Sequence, residues 1–442
     1  MEVRKEIEEI FKAGVESVLP DKLMEKHLKL SENILTVSGI EYPLHNFEHV
    51  YIVAVGKAAA LMASAAESIL GDNIYDGHVL TKYGHTCHLE KLSLTEAGHP
   101  FPDENGVNGT LHILEIARAA TANDLVICLI SGGASALMAD FPASATLDEL
   151  IILNKLLVES GADIQEINSV RKHLSKIKGG QLAREIFPAT VVSLILSDVI
   201  GDPLDVIASG PTAPDKSTFK TALEVLKKYS LEKQIPNVFL QYLHRGLNGL
   251  EPETPKSDDI IFSKVRNVVI GNNRIALESA QNKAQEFGYR SFIVSSGISG
   301  DYVDAALFIL KSIDNYSKKN STNQPLCLLF GGEPTVKITG GRAGLGGRNQ
   351  HLALYLANKL EKDRKISILC AGTDGTDGPT DVAGAVVDEL TCEKAIINYI
   401  NPLKYLRIFD SYSFFKVVGG HVKTGSTMTN VMDVIIVIIQ SQ

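Results

Sequence analysis

Gly56-Lys57, Ser131-Gly132-Gly133-Ala134-Ser135 and Gly346-Gly347-Arg348-Asn349-Gln350 each put glycine beside a cation or hydroxyl residue, just ahead of a helix-forming segment. Backbone N–H groups at a helix N-terminus attract anions, and glycine lets the backbone come close to a phosphate or carboxylate. Lys57 adds a full charge to the first loop, and Arg348 brings a rigid fork that suits either anion. The first loop is not a Walker A motif, because Ala58 follows the lysine and the spaced upstream glycine is missing. A solvated lysine at a helix start, and a tight turn with a serine cap, are the plainer readings of the first two loops. A serine nucleophile is disfavoured, since G-x-S-x-G is absent.

Carboxylates recur in similar places. Ser197-Asp198 leads into Gly201-Asp202-Pro203 and Ser209-Gly210-Pro211-Thr212, and Asp198 could hold Mg²⁺, take a proton from a hydroxyl, or cap a turn. Gly331-Gly332-Glu333 opens a glycine-rich stretch that includes Gly340, Gly341 and Arg342. Asp374-Gly375-Thr376-Asp377-Gly378 superficially resembles an EF-hand loop, but Ala385 occupies the place of the bidentate glutamate. Arg171, Lys172, Lys176 and Lys178 form a basic run with helical character, read either as a surface helix or as a rim that steers anions.

These loops need elements that present them together. Val50 to Val55, Leu125 to Ile130, Thr190 to Leu196, Val268 to Ile270, Leu326 to Phe330 and Ile366 to Cys370 are short apolar runs that stop on Gly, Ser, Asp or Asn. Buried parallel strands read this way, and open α/β sheets bind ligands at strand carboxyl ends. Alternation with helical segments such as Ala58 to Leu70 predicts a largely parallel, doubly wound sheet in each half. Val3, Ile7, Ile10, Phe11, Val15 and Val18 predict an amphipathic helix that packs on a sheet or a neighbouring domain.

A chain of 442 residues exceeds what one core usually supports. Two domains are expected, residues 1–250 and 251–442, with the linker around Asn248 to Asp259 and the boundary near Pro252. An apolar fraction of 45% and a charged fraction of 21% are those of an ordinary globular chain. A net charge of -9 argues against nucleic acid and anionic membrane as partners. The five scattered cysteines have no zinc-ligand spacing, and no apolar stretch is long enough to cross a bilayer, so a cytoplasmic protein is expected.

Taken in order, these stretches resemble the glycerate 2-kinase family, in which a DUF4147-type N-terminal domain precedes a C-terminal MOFRL domain. The resemblance rests on Val55-Gly56-Lys57-Ala58-Ala59, Gly98-His99-Pro100 with Pro102-Asp103, Ser131 to Ser135, Ser197 to Asp202 and Ser209 to Thr212. It continues through Gly331-Gly332-Glu333, Gly346 to Gln350 and Gly372 to Gly378. It implies a Rossmann-like, largely parallel sheet followed by a second α/β domain of MOFRL type, with the active site in the cleft between them. It also implies ATP-dependent phosphorylation of D-glycerate at its 2-hydroxyl, with Mg²⁺ or another divalent cation.

On this resemblance Lys57 and Arg348 are expected at the transferring phosphate and the substrate carboxylate, with Asp198 as the third catalytic candidate. Asp198, Glu333 and Asp377 are candidates for the metal or the general base. Gly56, Ser131, Gly132, Gly133, Ser135, Asp377, Thr427 and Asn430 are expected to bind nucleotide. One departure is visible: where the family reads close to TGPTGTN, this chain has Thr424-Gly425-Ser426-Thr427-Met428-Thr429-Asn430. A homo-oligomer is compatible with the sequence. The alternatives are a hydroxypyruvate reductase-type oxidoreductase, disfavoured because no G-x-G-x-x-G follows a strand, and a noncatalytic nucleotide or sugar-acid binding protein.

Overall fold

The computed structural model describes residues 2–320, 324–338, 343–361 and 363–441. Gly340, Gly341 and Arg342 of the glycine-rich stretch lie outside the described residues. The chain forms two compact units, Pro20–Ile270 and a second that joins Met1–Leu19 to Gly271–Gln442.

In the first unit, a small antiparallel sheet of β1 (Leu28–Ser31), β2 (Ile34–Val37) and β3 (Ile40–Pro43) precedes the main sheet. The main sheet comprises β4 (Val50–Val55), β5 (Ile74–Lys82), β6 (Ser93–Ala97), β7 (Leu125–Ile130), β8 (Thr190–Leu196) and β9 (Val265–Gly271), in the order β6-β5-β4-β7-β8-β9. Pairing is parallel from β6 through β8. Counted from β4, that is the 3-2-1-4-5-6 order of a Rossmann-like sheet, whose direction of winding reverses between β4 and β7. All six residues of β4 and all six of β7 are buried, which accounts for their unbroken apolar sequence. One face buries Val53, Val55, Cys128, Ile130 and Ile195 in a common core.

The first unit extends beyond the expected boundary at Pro252. Strand β9 completes its sheet, and the supposed linker is bonded into it: Glu253 accepts from His173 Nε2 at 2.6 Å and from Phe219 N at 3.1 Å. The prolines at 252 and 255 mark an ordered connection within the unit.

The second unit carries β10 (Arg290–Asp301), β11 (Leu326–Thr335), β12 (Ile366–Gly372), β13 (Gly384–Asp388), β14 (His421–Val422) and β15 (Asp433–Ile439), in the order β10-β11-β15-β12-β13-β14. Only β10 and β11 are parallel; the remaining pairs are antiparallel. The expectation of a largely parallel sheet in this half is therefore corrected. No helix separates β12 from β13, so they pair as antiparallel neighbours, and β15 enters between β11 and β12 from the opposite end. Helix Glu2–Glu16 lays Ile7, Ile10, Phe11 and Val15 into the core made by Leu277, Ala280, Val434 and Ile436. The predicted amphipathic helix thus belongs to the second unit, far along the chain from its partners.

Candidate active site

At the winding reversal of the first sheet, the carboxyl ends of β4 and β7 lie side by side. Ser131 N donates to Val55 O at 3.0 Å, Lys57 N to Gly132 O at 2.9 Å, and Ala58 N to Ser131 Oγ at 3.1 Å. Gly56, Lys57, Ser131, Gly132 and Gly133 therefore form one double loop. Gly133 has φ of +85°, and a β-carbon there would lie 3.2 Å from Lys57 Cε and 3.2 Å from His99 Nε2. The lysine side chain thus crosses the second loop. Burial, then the charges of Lys57, Lys82 and His85, push His99 down to about 4, so it faces the loop as a neutral ring at pH 7. Asp103 holds this flank in place by capping helix Glu104–Ala119 through Gly106 N and also accepting from Gly98 N, each at 2.9 Å.

Asp198 follows β8 and rests on the next loop. A β-carbon on Gly132 would stand 2.5 Å from Asp198 Cγ, so the glycine is required by the carboxylate packed on it. Ser135 Oγ lies 2.6 Å from Ser209 Oγ, which donates to Asn168 Oδ1 at 3.1 Å. Ser209 stands at φ of +61° between Ala208 and Gly210, also left-handed, and this turn shapes the floor beside Ser135. The fold thus brings Gly56, Lys57, Ser131, Gly132, Gly133, Ser135 and Asp198 together.

The basic run does not form a rim. Lys172 is buried against Asp215 at 3.0 Å, and Lys178 is buried against Asp140 at 3.2 Å. Burial lowers the Lys178 pKa, with Asp140 opposing the shift. Only Lys176 is exposed. Helical spacing alone does not reveal that carboxylates from distant segments meet these lysines.

In the second unit, the β11 end, the start of β15 and helix Arg348–Ala357 converge. Arg348 Nε and Nη2 donate to Asp433 at 2.6 and 3.0 Å, and Nη1 lies 2.9 Å from Glu333. Asp433 is fully buried; burial raises it to about 6 against the pull of Arg348 and Asn349, while Arg348 is held above its ordinary value. Asp433 was not expected from the sequence. Because β15 is antiparallel to its neighbours, its first residue lies opposite Gly332 and Gly372, at their carboxyl ends. An aspartate directly before the run Val434 to Ile439 was the signal, visible only once the strand direction is known.

Asp377 is fully engaged. Its Oδ1 accepts from Asn349 N at 2.9 Å and Asn349 Nδ2 at 3.3 Å, and its Oδ2 from Gln350 N at 2.8 Å and Gln350 Nε2 at 2.9 Å. It caps the helix that begins at Arg348 from across the loop. Gly347 lacks a side chain because Asp377 packs on it. Thr427 and Asn430 also serve the fold: Thr427 Oγ1 donates to Thr373 O at 2.6 Å, and Asn430 Oδ1 accepts from Met432 N at 3.0 Å. Met428 takes φ of +59° where the family pattern has glycine, so the departing loop keeps a left-handed turn.

A hard cation carried by phosphates needs only one or two carboxylates. Asp377, with both oxygens taken by the amides of Asn349 and Gln350, does not meet that requirement. The one converging group of three metal-binding side chains among the described residues is Glu48, His49 and Asp124, at the opposite ends of β4 and β7. Asp124 there is committed to Thr121 and His49. No described helix is long and apolar enough to cross a membrane.

The sequence matches the DUF4147 domain over residues 6–244, a domain described as of unknown function, and the MOFRL family over residues 326–433. It is 40% identical to a glycerate 2-kinase of Pyrococcus horikoshii across 97% of this chain and 96% of the other. It is 41% identical to a D-glycerate 2-kinase of Thermotoga maritima across 97% and 96%. The fold superposes on the crystal structure of a Thermotoga maritima glycerate kinase with a TM-score of 0.87, at 40% identity and 99% coverage of both chains.

Proposed function

The chain belongs to the glycerate 2-kinase family, and on that footing we propose that it transfers the γ-phosphoryl group of ATP to the 2-hydroxyl of D-glycerate, giving 2-phosphoglycerate and ADP. The observation that carries this reading is the double loop at the winding reversal, with the Lys57 side chain lying across Gly133 and Asp198 packed on Gly132. Phosphoryl transfer asks a protein chiefly for positioning and for positive charge near the developing phosphoryl oxygens. The loop amides and Lys57 provide both on the first unit, and Arg348 provides charge on the second. Asp198 takes the proton of the attacking hydroxyl or holds the cation; Glu333 is the second carboxylate suited to the cation. When bound, Mg²⁺ or a similar ion neutralises nucleotide phosphate charge. Asp377 and Asp433 act as positioning residues, the first through the helix start and the second through Arg348.

Incubation with D-glycerate, ATP and Mg²⁺, followed by phosphorus NMR, tests the proposal. A 2-phosphoglycerate signal is expected. A 3-phosphoglycerate signal overturns the regiochemistry, and reduction of hydroxypyruvate by NADH without phosphorylation overturns the kinase.

A further inference from the structure

Beside the serine loop, the first unit encloses a small cavity of about 40 Å³ walled in part by Pro100, Ser135, Met138, Leu153, Asn154 and Arg171. Ser135 and Pro100 join it to the double loop, since Gly133 and His99 are the residues that meet Lys57. Arg171 lies in the last turn of helix Ile164–His173 and is largely shielded from water, which lowers its pKa. Its Nε donates to Asn154 Oδ1 at 2.8 Å. Among the described residues nothing accepts from Nη1 or Nη2, and no carboxylate pairs with the guanidinium.

That sets Arg171 apart from its neighbours. Lys172 and Lys178 each have a carboxylate, and Asp140, the acid on the cavity wall, is already committed to Lys178 Nζ and to Ser175 Oγ at 2.6 Å. A shielded, uncompensated charge is costly unless something completes it. The two idle guanidinium nitrogens present the geometry that binds both oxygens of a carboxylate. Size limits the guest further. A water needs roughly 10–15 Å³ of such space, so this cavity accepts a group of about three heavy atoms. A nucleotide site is on the order of ten times larger.

We propose that Arg171, braced by Asn154, grips the carboxylate of the small hydroxy-acid substrate, and that the cavity beside Ser135 is its carboxylate subsite. The identity of the acid as D-glycerate rests on the kinase reading; the recognition of a small carboxylate does not. With the carboxylate at Arg171, Lys57 and Arg348 are both left for phosphate.

The test is calorimetric titration of D-glycerate and of its uncharged amide into the full chain without nucleotide, for wild type, Arg171→Met, Arg171→Lys and Asn154→Ala, alongside KM for both substrates. Wild type should prefer the acid to the amide by about 100-fold, the worth of a charged bidentate contact. Arg171→Met should lose that preference and raise the D-glycerate KM about 100-fold, with KM for ATP and the melting temperature unchanged. Arg171→Lys should recover part of the loss, and Asn154→Ala should fall between. Wild-type affinity for the acid in Arg171→Met, or a preserved preference over the amide, overturns the proposal. If Arg171→Met fails to fold, phenylglyoxal labelling of wild type decides: D-glycerate should protect Arg171, and unchanged labelling refutes the subsite. Arg171-dependent binding without phosphorylation removes the kinase reading alone, whereas phosphorylation with an unaltered KM in Arg171→Met removes this one alone.

Discussion

Replacing Gly132 with alanine isolates the contact between the second loop and Asp198. Gly132 has a negative φ, so the backbone accepts alanine, and the whole effect comes from the added methyl group. That methyl would stand 1.9 Å from Asp198 Oδ2, and restoring an ordinary contact near 3.4 Å moves the carboxylate by about 1.5 Å. A misplacement of about 1 Å in a reacting group costs on the order of 100-fold in rate, or ~2.7 kcal/mol of barrier. Overpacking itself should cost ~1–3 kcal/mol of stability. Steady-state assays of D-glycerate phosphorylation should therefore give kcat/KM about 100-fold below wild type. The same change in an Asp198→Ala background, where the carboxylate is gone, should cost less than about threefold, a strong coupling between the two sites. Near-wild-type turnover in Gly132→Ala, or an undiminished loss in the double variant, would refute the argument.

Lys57→Ala should abolish most turnover while leaving the fold intact, read by circular dichroism. Arg348→Ala should also abolish turnover, but leaving buried Asp433 unpaired should cost ~3 kcal/mol, read by chemical denaturation. The unfolded chain binds a proton at His99 near pH 6.5, whereas the folded one does so only at about 4. The stability this group contributes above pH 6.5 is lost as the pH falls through 4, and His99→Gln should flatten that part of a melting-temperature profile. Met428→Gly should relieve a left-handed side chain worth ~1 kcal/mol and raise the melting temperature; a lower value would show that the methionine side chain holds the loop.

Much of the first unit was legible because its chemistry follows from parallel strands. Val50 to Val55 and Leu125 to Ile130 are buried on both faces, so their sequences are continuous and their stops mark the loops that meet at the winding reversal. The same rule failed in the second unit. Asp433 precedes its strand, and antiparallel pairing carries it to the end where polar residues follow strands. Asp377 was legible as a carboxylate beyond a strand, yet its role depends on the amides of Asn349 and Gln350, which no spacing near residue 377 discloses. Lys172 and Lys178 resemble a surface patch until Asp215 and Asp140 are brought to them. Burial of charge is a tertiary fact, and local pattern does not contain it.

The placement of β15 also orders events in time. The strand that fills the gap between β11 and β12 is the last of the sheet to leave the ribosome, and the helix Glu2–Glu16 that covers this core is the first. Residues 20–270 can complete their sheet during synthesis, but the N-terminal helix must wait for Val434 and Ile436 before its apolar stripe is buried. Asp433 arrives with the same strand, so Arg348, which also meets Glu333 of β11, gains its buried partner only when the second sheet closes. A nascent chain that has folded its lysine loop therefore still lacks the buried aspartate that holds Arg348 through two nitrogens.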